Sequence, residues 1–359
     1  MIRWRMSRRI APSANFRNPL GLLRRMLLSG QAAAWSALMH EGLRLLTKPL
    51  DHVLQRREQE LFQRHLPNDF PILLVIGAPR SGTTLVSQTM ARYLNVSYFT
   101  NLTSLFPLSP VTATRMFGRR HSRPSGSFQN FYGQTAGLYG PHDGFFLWNR
   151  WLGEDRYSPR TDLTPDAVAA MRHFFDVWCA TFAQPLLNKN NRNTSCVSLL
   201  ARALPRARFI VVRRNPFRVA QSLVQARQQV QGDKRFGWGL RASERSESGD
   251  PLGYIDDVCR QVLQIDEQLD EQLRQVSRQR VIEITYEGFC ADPAGALRAI
   301  SGSVDGVSLE TSLMSAELRP FRVSTGVPLT DAERDRLLWR LHAAGRTGPS
   351  MVQTLPSRR

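Results

Sequence analysis

The chain of 359 residues has little cysteine and no long apolar run. Its four cysteines form no CxxC pair and have no histidine at zinc spacing, so nothing indicates a disulfide framework or a metal site. A membrane-spanning helix needs a run of about 18 apolar residues, and none is present. A cleavage site after a clean apolar core is missing as well. These absences lead us to expect a cytoplasmic protein without a metal.

Lysine is also scarce, because Lys48, Lys189 and Lys234 are the only lysines among 48 basic residues. Against 30 acidic residues the formal net charge is +18, so an anionic partner is expected. An acidic nucleotide, a nucleic acid or an anionic membrane surface would each fit this charge. The preference for arginine can equally reflect genome base composition, and composition alone does not separate these explanations.

Residues 1–66 form a basic extension, in which residues 19–46 have the apolar spacing of an amphipathic helix. Two interpretations stay open for this helix. Its apolar face packs on the rest of the protein, or it makes a peripheral contact with an anionic membrane surface. We assign residues 67–345 to one large catalytic domain and expect residues 346–359 to be a disordered tail.

A strand, a glycine-bounded turn and a helix are predicted in residues 71–94, PILLVIGAPRSGTTLVSQTMARYL. Gly77 and Gly82 permit a tight backbone turn whose N–H groups converge, with the positive end of the helix, on one anion. The spacing is that of a Walker A loop, except that Thr83 stands where nucleoside-triphosphate enzymes place lysine. The turn therefore predicts a phosphate site that is not a Mg-ATP site.

A second strand-turn-helix unit is predicted in residues 208–222, RFIVVRRNPFRVAQS. The strand ends in arginines, and Pro216 is well placed in the first turn of the following helix. Arginine suits phosphate because its planar fork donates two parallel hydrogen bonds, and a serine hydroxyl adds a neutral donor.

Both units resemble the sulfotransferases that use 3'-phosphoadenosine 5'-phosphosulfate (PAPS). Residues 79–85, PRSGTTL, match that family's 5'-phosphosulfate loop, P-[KR]-S-G-T-[TS]-[LW]. Arg214 and Ser222, eight residues apart, match its 3'-phosphate motif. The resemblance implies transfer of a sulfuryl group from PAPS to an acceptor hydroxyl, with 3',5'-ADP as the leaving group. The donor-binding residues that it implies are Arg80, Ser81, Gly82, Thr83, Thr84, Arg214 and Ser222.

The resemblance implies two further site residues, Lys189 and Tyr286. Residues 184–192 predict a strand that delivers Lys189 in the context N-K-N, which resembles a lysine that contacts the transferring sulfonate in this family. Tyr286 begins a Y-E-G-F segment similar to one whose tyrosine contacts adenine. The alternatives are a solvated turn lysine and a buried tyrosine at a strand end.

A general base is expected at His142 or Asp143, because an acceptor hydroxyl must lose its proton as it attacks. The carboxylate that the protein-tyrosine branch of the family uses has no counterpart in residues 98–102, YFTNL. An aromatic run follows at residues 145–151 and is expected to wall an acceptor site. The alternative for His142 and Asp143 is that either side chain caps the next helix.

Strands separated by helices at these spacings predict an α/β fold, a single domain with a central parallel β-sheet flanked by helices and a P-loop-like strand-loop-helix. Residues 96–140 have no clear period and are expected to be a long surface insertion. The acceptor is expected to be a carbohydrate, a lipid or a natural product, and no nucleic acid partner is expected.

Two other functions compete with this interpretation. A P-loop phosphotransferase would need a lysine in the loop and a Mg-binding acid. A non-enzymatic basic protein that binds nucleotides or anionic surfaces would retain the fold without the chemistry.

Overall fold

Five parallel strands build the central sheet of the computed structural model. They are β1 (Ile72–Ile76), β2 (Ser97–Tyr98), β5 (Leu186–Lys189), β6 (Ala207–Arg213) and β7 (Val281–Thr285), and β3 (Asn130–Phe131) pairs with β4 (Gln134–Thr135) in a separate antiparallel ribbon. The order across the sheet is β2-β5-β1-β6-β7. The structure describes residues 32–64, 68–118, 134–155, 162–241, 249–325 and 329–345, together with residues 21, 23, 24, 128, 130, 131, 159 and 160.

The described α-helices are numbered in chain order. They are α1 (Ala32–Phe62), α2 (Thr83–Tyr93), α3 (Asn101–Ser104), α4 (Pro110–Phe117), α5 (Phe145–Leu152), α6 (Pro165–Phe182), α7 (Val197–Ala203), α8 (Pro216–Ala226), α9 (Gly253–Arg274), α10 (Tyr286–Ala291), α11 (Pro293–Ser303), α12 (Thr311–Glu317) and α13 (Asp331–Ala343). A 3₁₀ turn, Asn191–Cys196, links β5 to α7. No helix within the described ranges is long and apolar enough to cross a bilayer.

Strand β1 lies at the centre of the sheet and is fully buried. Its sequence, ILLVI, is the continuous apolar run that a parallel strand needs when both faces of the sheet are covered. The register pairs Val75 with Lys189 of β5 and Ile76 with Val211 of β6. The carboxyl ends of three strands therefore meet at one edge of the sheet. The predicted α/β fold with a central parallel sheet is confirmed.

Helix α1 packs on α4 through two buried carboxylates. Asp51 accepts hydrogen bonds from the N–H and the hydroxyl of Ser109, at 3.0 and 2.6 Å. Glu58, two turns later on the same face, accepts from the N–H groups of Val111 and Thr112 at 3.1 and 2.7 Å. These carboxylates accept hydrogen bonds from the N–H groups at the start of α4, which have no partner within the helix. Their negative charge also interacts favourably with the positive end of the helix dipole.

The expectation of a surface insertion at residues 96–140 is wrong for the part that the structure describes. Strand β2 joins the edge of the sheet, and α3 and α4 follow it. Phe99, Phe106 and Val111 are buried. These elements have two to eight residues, which is too short for a helical or strand period to show in the sequence.

Two helices begin at capped residues. The Thr164 side chain accepts from the N–H of Ala167 at 3.3 Å, and α6 begins at the next residue, Pro165. Thr330 and Glu333 form a reciprocal capping box that opens α13. Residues 286–289, directly after β7, are the first turn of α10. The predicted tail, residues 346–359, lies outside the described residues.

Glu333 also receives hydrogen bonds from two other elements, which sets a pH dependence. Lys234 donates to its carboxylate at 2.6 Å, and the Tyr254 hydroxyl donates to the same oxygen. Burial alone would raise the pKa of Glu333, but the donors outweigh burial and lower it from 4.5 to about 2. A depressed folded-state pKa stabilises the fold above the unfolded-state value, and this stabilisation is lost as pH falls toward 2.

We expect Glu333→Gln to lower the free energy of unfolding at pH 7 by about 2 kcal/mol, because a charged acceptor of several hydrogen bonds becomes neutral. The difference from the wild type should shrink as pH falls from 4.5 toward 2. Urea unfolding at a series of pH values measures it, with the exposed Glu60→Gln as the matched control. If the difference in unfolding free energy between the wild type and Glu333→Gln does not change with pH, the charge of the Glu333 carboxylate does not stabilise the fold.

Candidate functional site

The loop after β1 has the backbone geometry of an anion cradle. Gly77 and Gly82 have φ values of 152° and 96°, and Arg80 between them has φ 71°. The loop is braced from β5's side of the sheet, since the Thr194 hydroxyl donates to the Gly77 carbonyl and accepts from its N–H, both at 3.0 Å. Arg80 in the left-handed region is an uncommon conformation for a residue with a side chain, and such strain is typical of functional loops.

Helix α2 starts inside the loop and leaves donors for a ligand. The first intrahelical bond is from the N–H of Val86 to the Gly82 carbonyl, so the N–H groups of Thr83 and Thr84 face out of the helix end. The Ser81 hydroxyl is buried and has no hydrogen-bond partner among the described residues. A buried donor of this kind fits an anion seated at the positive end of the helix.

Tyr286 at the start of α10 packs directly on the loop. A Cβ at Gly82 would lie 2.1 Å from Cδ2 of the Tyr286 ring, so only glycine fits there. The Arg214 guanidinium lies over the same ring, 4.4 Å from its centroid. Tyr286 is 6% exposed. The ring is thus held between the loop and Arg214.

Arg80, Arg214 and Ser222 form one cluster where β1 and β6 end. Arg80 Nε donates to the Ser222 hydroxyl at 2.9 Å, and Arg214 Nη1 donates to the Arg80 carbonyl at 2.9 Å. Burial lowers the pKa of the Arg214 guanidinium. The Nε of Arg214 is buried and has no acceptor among the described residues. A bound anion would satisfy that donor and offset the cost of burying the charge.

The segment before the last helix closes against this cluster. Arg214 Nη2 donates to the Ser324 carbonyl at 2.5 Å, and Arg218 donates to the Thr325 carbonyl at 3.3 Å. Arg319, which lies earlier in this segment, donates to carbonyls of residues 315, 316 and 318. It is therefore engaged with its own helix end in this structure.

Lys189 and Asp143 form an ion pair at the end of β5. Lys189 Nζ lies 2.8 and 2.9 Å from the two carboxylate oxygens, and its side chain is 7% exposed against 22% for Asp143. The backbone carbonyl of Asp143 accepts from the side-chain amides of Asn188 and Asn190, at 3.3 and 3.1 Å. The strand that carries the lysine therefore also fixes the loop that carries the carboxylate.

His142 has a defined ring orientation. Its Nδ1 accepts from the N–H of Gly144 at 2.9 Å, so a neutral ring carries its proton on Nε2. The His40 ring of α1 stacks on it, with 6.2 Å between centroids. Gly144 is the N-cap of α5 and no side chain caps that helix, so the capping alternative for His142 and Asp143 is not what the structure has.

A small open cleft lies beside the ion pair. Its lining residues are Thr84, Ser87, Gln88, Tyr98, Phe99, Thr135, Pro141, His142, Asp143, Leu187, Asn188 and Lys189. The aromatic run after Gly144 does not wall this cleft as expected. Trp148 and Trp151 are buried in the core against Phe175, because α5 turns that face of the run inward.

Sequence reasoning missed the polar residues that hold the site together. Asn188 accepts from the Trp148 indole at 2.8 Å while its amide holds the 142–143 backbone, and Asn191 accepts from the Thr83 hydroxyl at 3.2 Å. The available signal was the polar run NKNNRNTS directly after an apolar strand. Among the described residues no group of three or more His, Cys, Asp or Glu is arranged to hold a metal ion.

We expect Gly82→Ala to destabilise the fold by several kcal/mol, because it adds a steric clash with Tyr286 to the strain of a positive φ. Gly137→Ala is the matched control, since Gly137 has φ 78° and open space around its Cβ position. The control should cost only about 1 kcal/mol. Thermal unfolding measures both variants. If Gly82→Ala and Gly137→Ala lower the melting temperature equally, the Gly82–Tyr286 contact does not constrain the loop.

Known proteins with a similar structure are sulfotransferases. The structure of STF9 from Mycobacterium avium has a TM-score of 0.53 and is 15% identical over 82% of this chain and 81% of that protein. STF1 from Mycobacterium tuberculosis H37Rv is 13% identical over 93% of this chain and 89% of its own, with a TM-score of 0.46. At this level of identity the first likeness shows the fold alone. No curated protein has a significant sequence match to the chain.

The sequence itself carries the family assignment. Residues 71–305, which are well over half of the chain, match the Sulfotransferase family. This range contains the loop after β1, the Lys189–Asp143 pair and the Arg214–Ser222 cluster. The predicted resemblance is therefore confirmed, and the chain belongs to the sulfotransferase family.

Proposed function

We propose that this sulfotransferase moves the sulfuryl group of PAPS to a hydroxyl of a carbohydrate, lipid or natural-product acceptor. The observation that carries the proposal is the direct link between two anion sites. Arg80 of the loop bonds Ser222, and Arg214 bonds the Arg80 backbone. One ligand with phosphate groups at two places can therefore contact both sites at once. A nucleotide that is phosphorylated at both the 3' and the 5' position has that form.

The loop and α2 would hold the 5'-phosphosulfate through the Ser81 hydroxyl and the N–H groups of Gly82, Thr83 and Thr84. Arg214 and Ser222 would hold the 3'-phosphate. Arg80 would also hold the 5'-phosphosulfate, next to Ser222, to which its Nε donates in this structure. Tyr286 would position Gly82 and Arg214, and its contact with adenine stays a prediction.

Lys189 would stabilise charge at the transfer step. When bound, the donor supplies an activated sulfuryl group whose S–O bond to the nucleotide breaks as the acceptor oxygen attacks. A Lys189 ammonium has three donors, so it can keep Asp143 while it donates to a sulfonate oxygen. A positioned cation in a site of low exposure is commonly worth about 3 kcal/mol of barrier.

Asp143 is the better general base of the two candidates. The Nδ1 of His142 is occupied by the Gly144 N–H, and the remaining ring nitrogen of the neutral form can only donate. Asp143 keeps acceptor capacity, because a carboxylate has about four lone-pair positions and Lys189 uses only part of them. Both side chains line the cleft, so His142 would donate to the acceptor while Asp143 takes its proton.

We expect 3',5'-ADP to bind at least tenfold more tightly than 5'-ADP or ATP without magnesium, because only it reaches both anion sites. Arg214→Ala should remove this preference. The control is Arg298→Ala, which deletes an exposed arginine on α11 and leaves the site intact. Isothermal calorimetry measures the affinities. Tighter binding of Mg-ATP than of 3',5'-ADP would instead support a phosphotransferase.

We expect Asp143→Asn to lower kcat by about 10²–10⁴-fold, since the amide keeps the shape but takes up no proton. His142→Asn should raise KM and change kcat less than about tenfold. The assay is transfer from radiolabelled PAPS to an acceptor found by screening sugar, lipid and phenol hydroxyls. If His142→Asn abolishes turnover and Asp143→Asn does not, the assignment of the base is reversed.

A further inference from the structure

Exposed apolar side chains concentrate on one surface of the described residues. Of the ten large apolar residues that are exposed there, five lie on α1 and two on α4. Met39, Leu46, Leu50 and Val53 form a row along α1, which we name the α1 stripe, and they are 67%, 77%, 42% and 69% exposed. Their spacings of seven, four and three residues put them on one side of a helix.

The stripe continues onto the neighbouring helix. Arg57 of α1 reaches Met116 of α4, with 3.7 Å between Nη1 and Sδ, and Met116 is 47% exposed. The opposite edge of α1 is anchored to the domain by the buried Asp51 and Glu58, so the helix cannot roll to bury the row. A row of exposed apolar side chains of this kind is typical of an interaction site.

The positive charge on α1 and in the first 40 residues favours an anionic partner. Among the side chains of α1 that the structure describes, Lys48, Arg56 and Arg57 are exposed cations and Glu60 is the one exposed carboxylate. The first 40 residues contain seven arginines and no aspartate or glutamate. Those arginines are Arg3, Arg5, Arg8, Arg9, Arg17, Arg24 and Arg25. A second copy of the chain would bring like charges together, whereas an anionic surface would attract them.

We propose that the α1 stripe docks the protein peripherally on an anionic phospholipid bilayer. The apolar row enters the boundary between headgroups and acyl chains, and the exposed Arg56 and Arg57 at the end of the row contact lipid phosphates. Met39 is followed by His40, whose ring stacks on His142 of the cleft. Docking through this surface therefore brings the cleft close to the membrane interface. The proposal is independent of which donor or acceptor the enzyme uses.

The test is flotation of the full chain with vesicles of phosphatidylcholine, with and without phosphatidylglycerol. We expect binding only to the anionic vesicles, and about tenfold weaker binding for the triple variant Leu46→Gln, Leu50→Gln, Val53→Gln. Trp339→Gln, an exposed apolar residue of α13, is the matched control and should bind like the wild type. Arg56→Gln with Arg57→Gln should weaken binding by roughly tenfold without removing any apolar surface.

Several results would overturn the proposal. Wild-type protein that does not float, or a triple variant that floats as well as the wild type, would remove the bilayer as the partner. A wild-type dimer in gel filtration that the triple variant converts to a monomer would identify a second copy instead. A large fall in the melting temperature of the triple variant would show that the chain itself covers the stripe.

Discussion

The parallel pairing of β1 with β5 on one side and β6 on the other is the constraint on which the site depends. All three strands run in the same direction, so their carboxyl ends open onto one edge of the sheet. The loop of Gly82, the Lys189 pair and Arg214 each follow one of these strands. No single segment could build the site, because the strand ends are far apart in the sequence. A shift in the register of β5 would move Lys189 away from the loop.

Polar side chains convert this shared edge into fixed geometry. Thr194 holds the start of the loop, and Asn188 and Asn190 hold the backbone of Asp143. The ion pair with Asp143 offsets the energetic cost of burying the Lys189 charge. The Arg214 guanidinium at the end of β6 is partly buried. A site that carries this much buried positive charge is prepared for an anionic ligand. The excess of arginine outside the site supports the proposed contact with an anionic bilayer.

The sequence predicted the local parts of this arrangement and missed the distant ones. The loop glycines and the serine eight residues after Arg214 follow from patterns within a few residues. The contact between Gly82 and Tyr286, and the capping of α4 by Asp51, join segments that no local pattern relates. The aromatic run at residues 145–151 misled the prediction, because a helical face that packs in the core has the same composition as the wall of a pocket.

The central claim is that one nucleotide occupies both anion sites, and a crystal structure with 3',5'-ADP tests it most directly. The account predicts the 5'-phosphate at the N–H groups of Thr83 and Thr84, and the 3'-phosphate within hydrogen-bond distance of Arg214 and Ser222. Arg80 is then free to leave the Ser222 hydroxyl. A nucleotide whose 3'-phosphate lies away from Arg214, or whose 5'-phosphate does not enter the loop, would contradict it.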